Sequence, residues 1–265
     1  MTSFPFPAYR SRYLPAMTQK QISALPDKAW APMLIGTGAI EQHGPHLPVA
    51  VDALIGQAII GMAIDRLPPD ANCYVAPPIT IGKSNEHTGY PGTLTISKGT
   101  LRALLLAGAR QAHAWGFKSI GIINTHGGNI AVVGYTLREI TEKYDLRAEV
   151  ISSEVKNDVS ARGQVYGYHA EEGETSYLLA LAGRHVKMER ATCEWAGDVG
   201  DPGELRAERA PGTFAWVTRD MSRFGVMGDA TAGTLEKGRR WLPQSTQGLA
   251  DAIAKVCREL KAALP

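Results

Sequence analysis

The chain has 265 residues, 44% of them apolar and 20% charged, a composition that excludes disordered and fibrous classes and permits a sizeable core. A formal net charge of +2 with no basic run gives no electrostatic footprint for nucleic acid or an anionic membrane, so a small-molecule or peptide substrate is expected. The three cysteines are odd in number and far apart, against a disulfide framework and for a reducing compartment; with no secretory signal in Met1 to Arg12, cytoplasm is the expectation.

In chain order, Met33 to Ala39 reads as a short buried parallel strand. It delivers Ile40 to Asp52, a segment broken by Gly44, Pro45 and Pro48 that carries Glu41, His43, His46 and Asp52. In extended backbone, side chains two apart point the same way, so Glu41 and His43 converge while Gln42 faces away. Carboxylate with imidazole is a ligand mix for zinc, manganese or iron. Asp52 to Leu67 follows with helical spacing, placing Asp52 at or near an N-cap, and ends at Pro68-Pro69.

A second strand is expected over Tyr74 to Ile81, opening into a loop from Lys83 to Thr95 with Asn85, Glu86 and His87. Ser97 caps a helix from about Gly99 to Trp115, stopped by Gly116. Ser119 to Asn124 is a third buried strand running into Thr125-His126-Gly127-Gly128-Asn129, where Asn129 is expected to cap a helix reaching Tyr144. Ala148 to Ser152 makes a fourth strand, and the alternation predicts a parallel sheet covered on both faces, an α/β fold in one domain spanning 1–265. A polar loop from Gly163 leads to a helix opening at Glu174. From Lys187 to Trp241 periodicity fades and Trp195, Phe214, Trp216 and Phe224 are scattered through a glycine-rich stretch, which predicts an irregular subdomain, subunit contact or lid. Gln244 to Leu264 closes the chain as an amphipathic helix.

Open α/β sheets bind ligands beyond the carboxyl ends of their strands. Three polar loops meet at that edge, bringing Glu41, His43 and Asp52 from the first, His126 from the second, and His169, Glu171, Glu172 and Glu174 from the third. The chain resembles the creatininase (creatinine amidohydrolase) family through Gly38-Ala39-Ile40-Glu41-Gln42-His43-Gly44-Pro45-His46-Leu47-Pro48 with Asp52, through Asn124-Thr125-His126-Gly127-Gly128-Asn129, and through His169-Ala170 with Glu174-Thr175-Ser176.

That resemblance implies a three-layer α/β/α fold with a mainly parallel sheet, two divalent metal ions (Zn, Mn or Fe) per subunit, hydrolysis of an amide C–N bond by a metal-activated hydroxide, and usually a hexamer. It makes Glu41 and His126 ligands of one metal, His43 a ligand of the other, Asp52 the bridge between them, and His169 the catalytic histidine. Creatinine-hydrolysing members carry His-Tyr-Glu where this chain has His126-Gly127-Gly128, so a carboxylate for the second metal is expected from Glu174, with Glu171 and Glu172 as alternatives. The expected substrate is a small, cyclic amide. A formamide or a short peptide is the alternative within the family, and a non-catalytic assembly subunit the alternative outside catalysis.

Overall fold

A computed structural model describes residues 9, 11–195 and 215–264. The part of the expected irregular segment at 196–214, with Phe214, lies outside the described residues, as does most of the stretch before Arg12. The elements in order are α1 (Gln19–Ser23), β1 (Met33–Thr37), α2 (Val51–Ile64), β2 (Tyr74–Val75), α3 (Lys98–Ala114), β3 (Ser119–Asn124), α4 (Ile130–Tyr144), β4 (Arg147–Val150), α5 (Ala161–Tyr166), α6 (Glu172–Ala182), β5 (Cys193–Glu194), α7 (Thr218–Met221), β6 (Gly228–Asp229) and α8 (Leu235–Ala262).

Strands β1 to β4 form a parallel sheet in the order β2-β1-β3-β4, with β1 paired to β3 from Met33–Ile120 to Thr37–Asn124. Every residue of β1 is buried, as a strand covered on both faces requires. Its side chains divide by the period-2 rule. Met33 and Ile35, with Ile120 and Ile122 of β3, pack against Leu101 and Leu105 of α3 and Val133 and Ile140 of α4. Leu34 and Ile123 pack on the other face against Ile60 of α2 and Leu249, Ile253 and Cys257 of α8. The result is the three-layer α/β/α architecture. At Gly121 a β-carbon would lie 2.4 Å from Ile151 Cδ1 and 2.9 Å from Leu34 Cδ2, so side chains from neighbouring segments close over the bare strand there.

Several elements depart from their expected bounds. Strand β2 stops at Val75 because Pro77 and Pro78 have no N–H for the ladder; pairing resumes as a single bridge between Thr37 and Ile79. Helix α8 starts at Leu235, earlier than Gln244, capped by Thr234, whose hydroxyl accepts from Lys237 N at 3.2 Å. It carries Pro243 in its interior, and the buried Trp241 and Leu242 hold that stretch against the protein. Asn129 holds the N-cap position of α4, but its side chain makes no capping bond: its carboxamide donates to Gly38 O at 3.1 Å and accepts from Lys83 N at 2.9 Å, tying together the loops after β1 and β2 beside its own. Asp52 lies near the N-cap of α2, as expected: Ala50 holds the cap position, and Asp52 is in the first turn with its carboxylate beside His43 and His126. No helix among the described residues is long and apolar enough to cross a membrane.

Candidate metal centre

The loops after β1 and β3 and the start of α6 converge at the carboxyl edge of the sheet. They wall a cavity of about 560 Å³ lined by Glu41, Asp52, Lys83, Glu86, His87, Lys98, His126, Tyr168, His169, Glu174, Trp216 and Met227, among others. Four groups among the described residues have ligand atoms close enough to share a cation: Glu41, Asp52 and His126; His43, Asp52 and Glu174; Glu41, His43 and His169; and Glu41, Glu86 and His87. The first two meet at Asp52.

In the first of these, His126 Nδ1 lies 3.0 Å from Asp52 Oδ2 and 3.4 Å from Glu41 Oε2. In the second, His43 Nε2 lies 3.4 Å from Asp52 Oδ1 and 3.6 Å from Glu174 Oε2. His43, Glu41, Asp52 and His126 are each at most 5% exposed. Side chains so fully desolvated need either mutual neutralisation or an ion between them.

The tautomers point to the ion. His43 Nδ1 faces the carbonyl oxygen of Glu41 at 3.1 Å and His126 Nε2 that of Lys83 at 3.0 Å. A carbonyl only accepts, so each ring places its hydrogen there and turns a bare lone pair toward carboxylates. His43 Nε2 and Asp52 Oδ2 are buried without a hydrogen-bond partner among the described residues. Lone pairs facing anionic oxygens repel unless the rings are protonated or a cation lies between. For His43, burial opposes protonation, but Glu174 and then Asp52 outweigh it and hold the ring well above the usual histidine value. Burial likewise opposes charge on His126, and Asp52 and Glu41 reverse it. Asp52 and Glu174 move the opposite way, since burial would raise each but His43 brings both below the usual carboxylate range. An imidazole whose far nitrogen donates to a backbone carbonyl is how metal-binding histidines are commonly oriented. The residues present therefore fit divalent cations.

His169 sits above this centre. Its Nε2–H reaches the carbonyl of Gln42 at 2.7 Å, leaving Nδ1 bare and 3.5 Å from Glu41 Oε1. Burial first, then the neighbouring His43, lowers its pKa. Its ring packs in tilted contact with His43 at 4.2 Å and with His87 at 4.1 Å between centroids.

The three glutamates at the start of α6 have separate surroundings. Glu171 caps the helix, accepting from Gly173 N at 2.8 Å and Glu174 N at 3.3 Å; burial and then Glu174 push it up to about 7. Glu172 is buried against Lys237 Nζ at 2.6 Å. Only Glu174 reaches His43, and its Oε2 also accepts from Ala170 N at 2.6 Å. Ala170 is fully buried with φ at +53°, a left-handed conformation unusual for alanine, so the packing holds strain beside the centre. His46 turns aside, with Nε2 2.9 Å from Thr175 Oγ1; burial and then His43 lower it to about 4.

Sequence reasoning did not single out Ser84, whose hydroxyl donates a short hydrogen bond to Glu41 Oε2, nor Glu86 and His87 as members of the site. A β-carbon at Gly128 would lie 2.2 Å from Glu86 Oε1 and 2.4 Å from His126 Nε2, so Glu86 fills the space that a side chain at that position would take. The signal was available as a polar Asn85-Glu86-His87 run following a strand, but nothing local fixes its direction.

The class that emerges is a three-layer α/β/α protein with a buried carboxylate–imidazole centre, fitted for cations, at the carboxyl edge of a parallel sheet. Residues 15–253 match the family model described as creatininase, creatinine amidohydrolase, and the chain belongs to that family of amidohydrolases. It is similar to the mycofactocin precursor peptide peptidase of Mycolicibacterium smegmatis, with 32% identity over 226 residues, 84% of each chain. It is also similar to the creatinine amidohydrolase of Pseudomonas putida, with 26% identity over 92% of this chain and 96% of that one. Among solved structures, a manganese creatininase shares the fold at a TM-score of 0.70 with 22% identity, over 92% of this chain and 98% of that one.

Proposed function

We propose that the protein is a metal-dependent amidohydrolase that cuts a C–N bond in a short peptide. The observation that carries the hydrolase reading is the pair of residue groups that share Asp52, each with an imidazole lone pair turned onto carboxylates. Glu41, Asp52 and His126 would hold one cation and His43, Asp52 and Glu174 the other. Divalent cations bound there would polarise the amide carbonyl and lower the pKa of water. Manganese is supported by the creatininase of the same fold, and zinc by the donor set.

The chain's own residues do the remainder. His169 accepts a proton at its bare Nδ1 and passes it to the leaving nitrogen. Gln42's carbonyl keeps that ring in the tautomer able to do so. Trp216 and Met227 give the cavity part of its apolar wall.

A peptide is preferred to the cyclic amide expected from the sequence for two reasons. The mycobacterial relative is named for a precursor peptide, and a cavity of about 560 Å³ exceeds what a single small ring fills. A cyclic amide remains the second reading, favoured by the Pseudomonas relative. Incubation of the manganese-loaded protein with the mycofactocin precursor peptide and, in parallel, with creatinine separates them. Mass-spectrometric appearance of two peptide fragments is the expected result, and turnover of creatinine alone would establish the second reading.

A further inference from the structure

We infer that His87 is a further catalytic residue, presenting a fixed N–H to the carbonyl oxygen of the scissile amide, and that Gln42 is the positioning residue that sets its tautomer. This rests on the amidohydrolase reading above and extends it to residues outside the metal-binding groups proposed there.

The chain of hydrogen bonds begins with two backbone groups whose roles are unambiguous. Gly44 N–H donates to Gln42 Oε1 at 2.9 Å, and Gln42 Nε2 donates to the carbonyl of Gly225 at 3.1 Å. Both contacts require the same orientation of the carboxamide, so its remaining hydrogen on Nε2 is the one directed at His87 Nδ1, 2.9 Å away. A nitrogen that receives a hydrogen bond is bare. The hydrogen of the neutral ring is therefore on Nε2; Thr218 Oγ1 lies 3.0 Å from the same Nδ1, and its hydroxyl can rotate to suit that tautomer.

His87 is thereby the odd one of four. His43, His126 and His169 each send their ring hydrogen to a backbone carbonyl and offer a lone pair to the site. His87 does the reverse. Its Nε2–H faces the cavity 3.6 Å from Glu41 Oε1, beyond a normal hydrogen bond and so free to serve another acceptor. The ring is 4% exposed and packed against His169 at a 34° tilt between ring planes, which limits its direction. Glu41, Glu86 and His87 have a spacing that could suit a cation, but a nitrogen that carries hydrogen is no ligand. What it suits is an oxygen gaining negative charge, next to the histidine assigned to proton transfer.

Two-bond proton–nitrogen correlation spectra of zinc-loaded, ¹⁵N-histidine-labelled protein test the tautomer. His87, identified by its loss in His87→Phe, should show the Nε2–H pattern, and in Gln42→Glu, where a carboxylate takes a hydrogen from Nδ1, the pattern should invert. An Nδ1–H pattern in the wild type would overturn the proposal. In steady-state cleavage of the mycofactocin precursor peptide, His87→Phe should lower kcat by roughly a hundredfold, the effect of removing one oxyanion donor, with cation content retained. His87→Gln, which restores an N–H, should recover part of it. Unchanged kcat in His87→Phe, or loss of a cation with His87→Gln, would overturn the catalytic role. If the wild type cleaves neither peptide nor creatinine, the hydrolase reading and this catalytic role both fall, while the tautomer is decided by the spectra alone.

Discussion

The two residue groups that share Asp52 are built on different foundations. Glu41 and His126 sit on the loops just past β1 and β3 and Asp52 in the first turn of α2, all three buried, and Asn129 ties the loop after β1 to the loop after β2. Glu174, the completing member of the other group, arrives on α6, whose side chain is 26% exposed and whose direction depends on the Glu171 cap and the strained Ala170. The first group is held by the fold; the second is held by a few local contacts that substitution can reach. In the proposed site, a carboxylate from a helix start would supply what Gly128 cannot offer.

Substitutions break this comparison at different depths. Asp52→Asn removes the shared oxygen donor and should abolish turnover, with loss of both cations by elemental analysis. Glu174→Gln should touch only the group on α6, keeping the far-ultraviolet circular dichroism of the wild type while most activity disappears. His169→Ala belongs to neither group as proposed; it should retain the cations and slow kcat by roughly a hundredfold, the usual size of a proton-transfer contribution. If that variant instead lost a cation, the group of Glu41, His43 and His169 would be the one in use. Glu171→Ala should have the smallest effect, about 1 kcal/mol in urea unfolding for a lost helix cap, together with weaker retention of the cation at Glu174.

Much of this was legible in the sequence because it depends on short-range pattern. Ser119–Asn124 was read as a strand to the residue, since an apolar run between a glycine stop and a polar loop leaves no other element. Glu41 and His43 were expected to converge from their spacing, and their side chains lie 3.9 Å apart. What was hidden depends on partners far along the chain. Gln42, expected to face away from Glu41 and His43, reaches His87 and Gly225, the latter 183 residues distant. Asn129 holds the cap position, but its side chain serves as a tie because its partners, Gly38 and Lys83, reach it only through the strand order. The early start of α8 was masked by Pro243, whose disruption of the helix is outweighed by burial of Trp241 and Leu242.

The central claim is that two cation sites meet at one aspartate. Titration of chelator-stripped protein with manganese, read by calorimetry and by elemental analysis after desalting, tests it in the wild type, Glu174→Gln and Asp52→Asn. The account predicts roughly two cations per chain in the wild type, roughly one in Glu174→Gln and none retained in Asp52→Asn. Full occupancy in Glu174→Gln, or an active wild type with only trace metal, would contradict it.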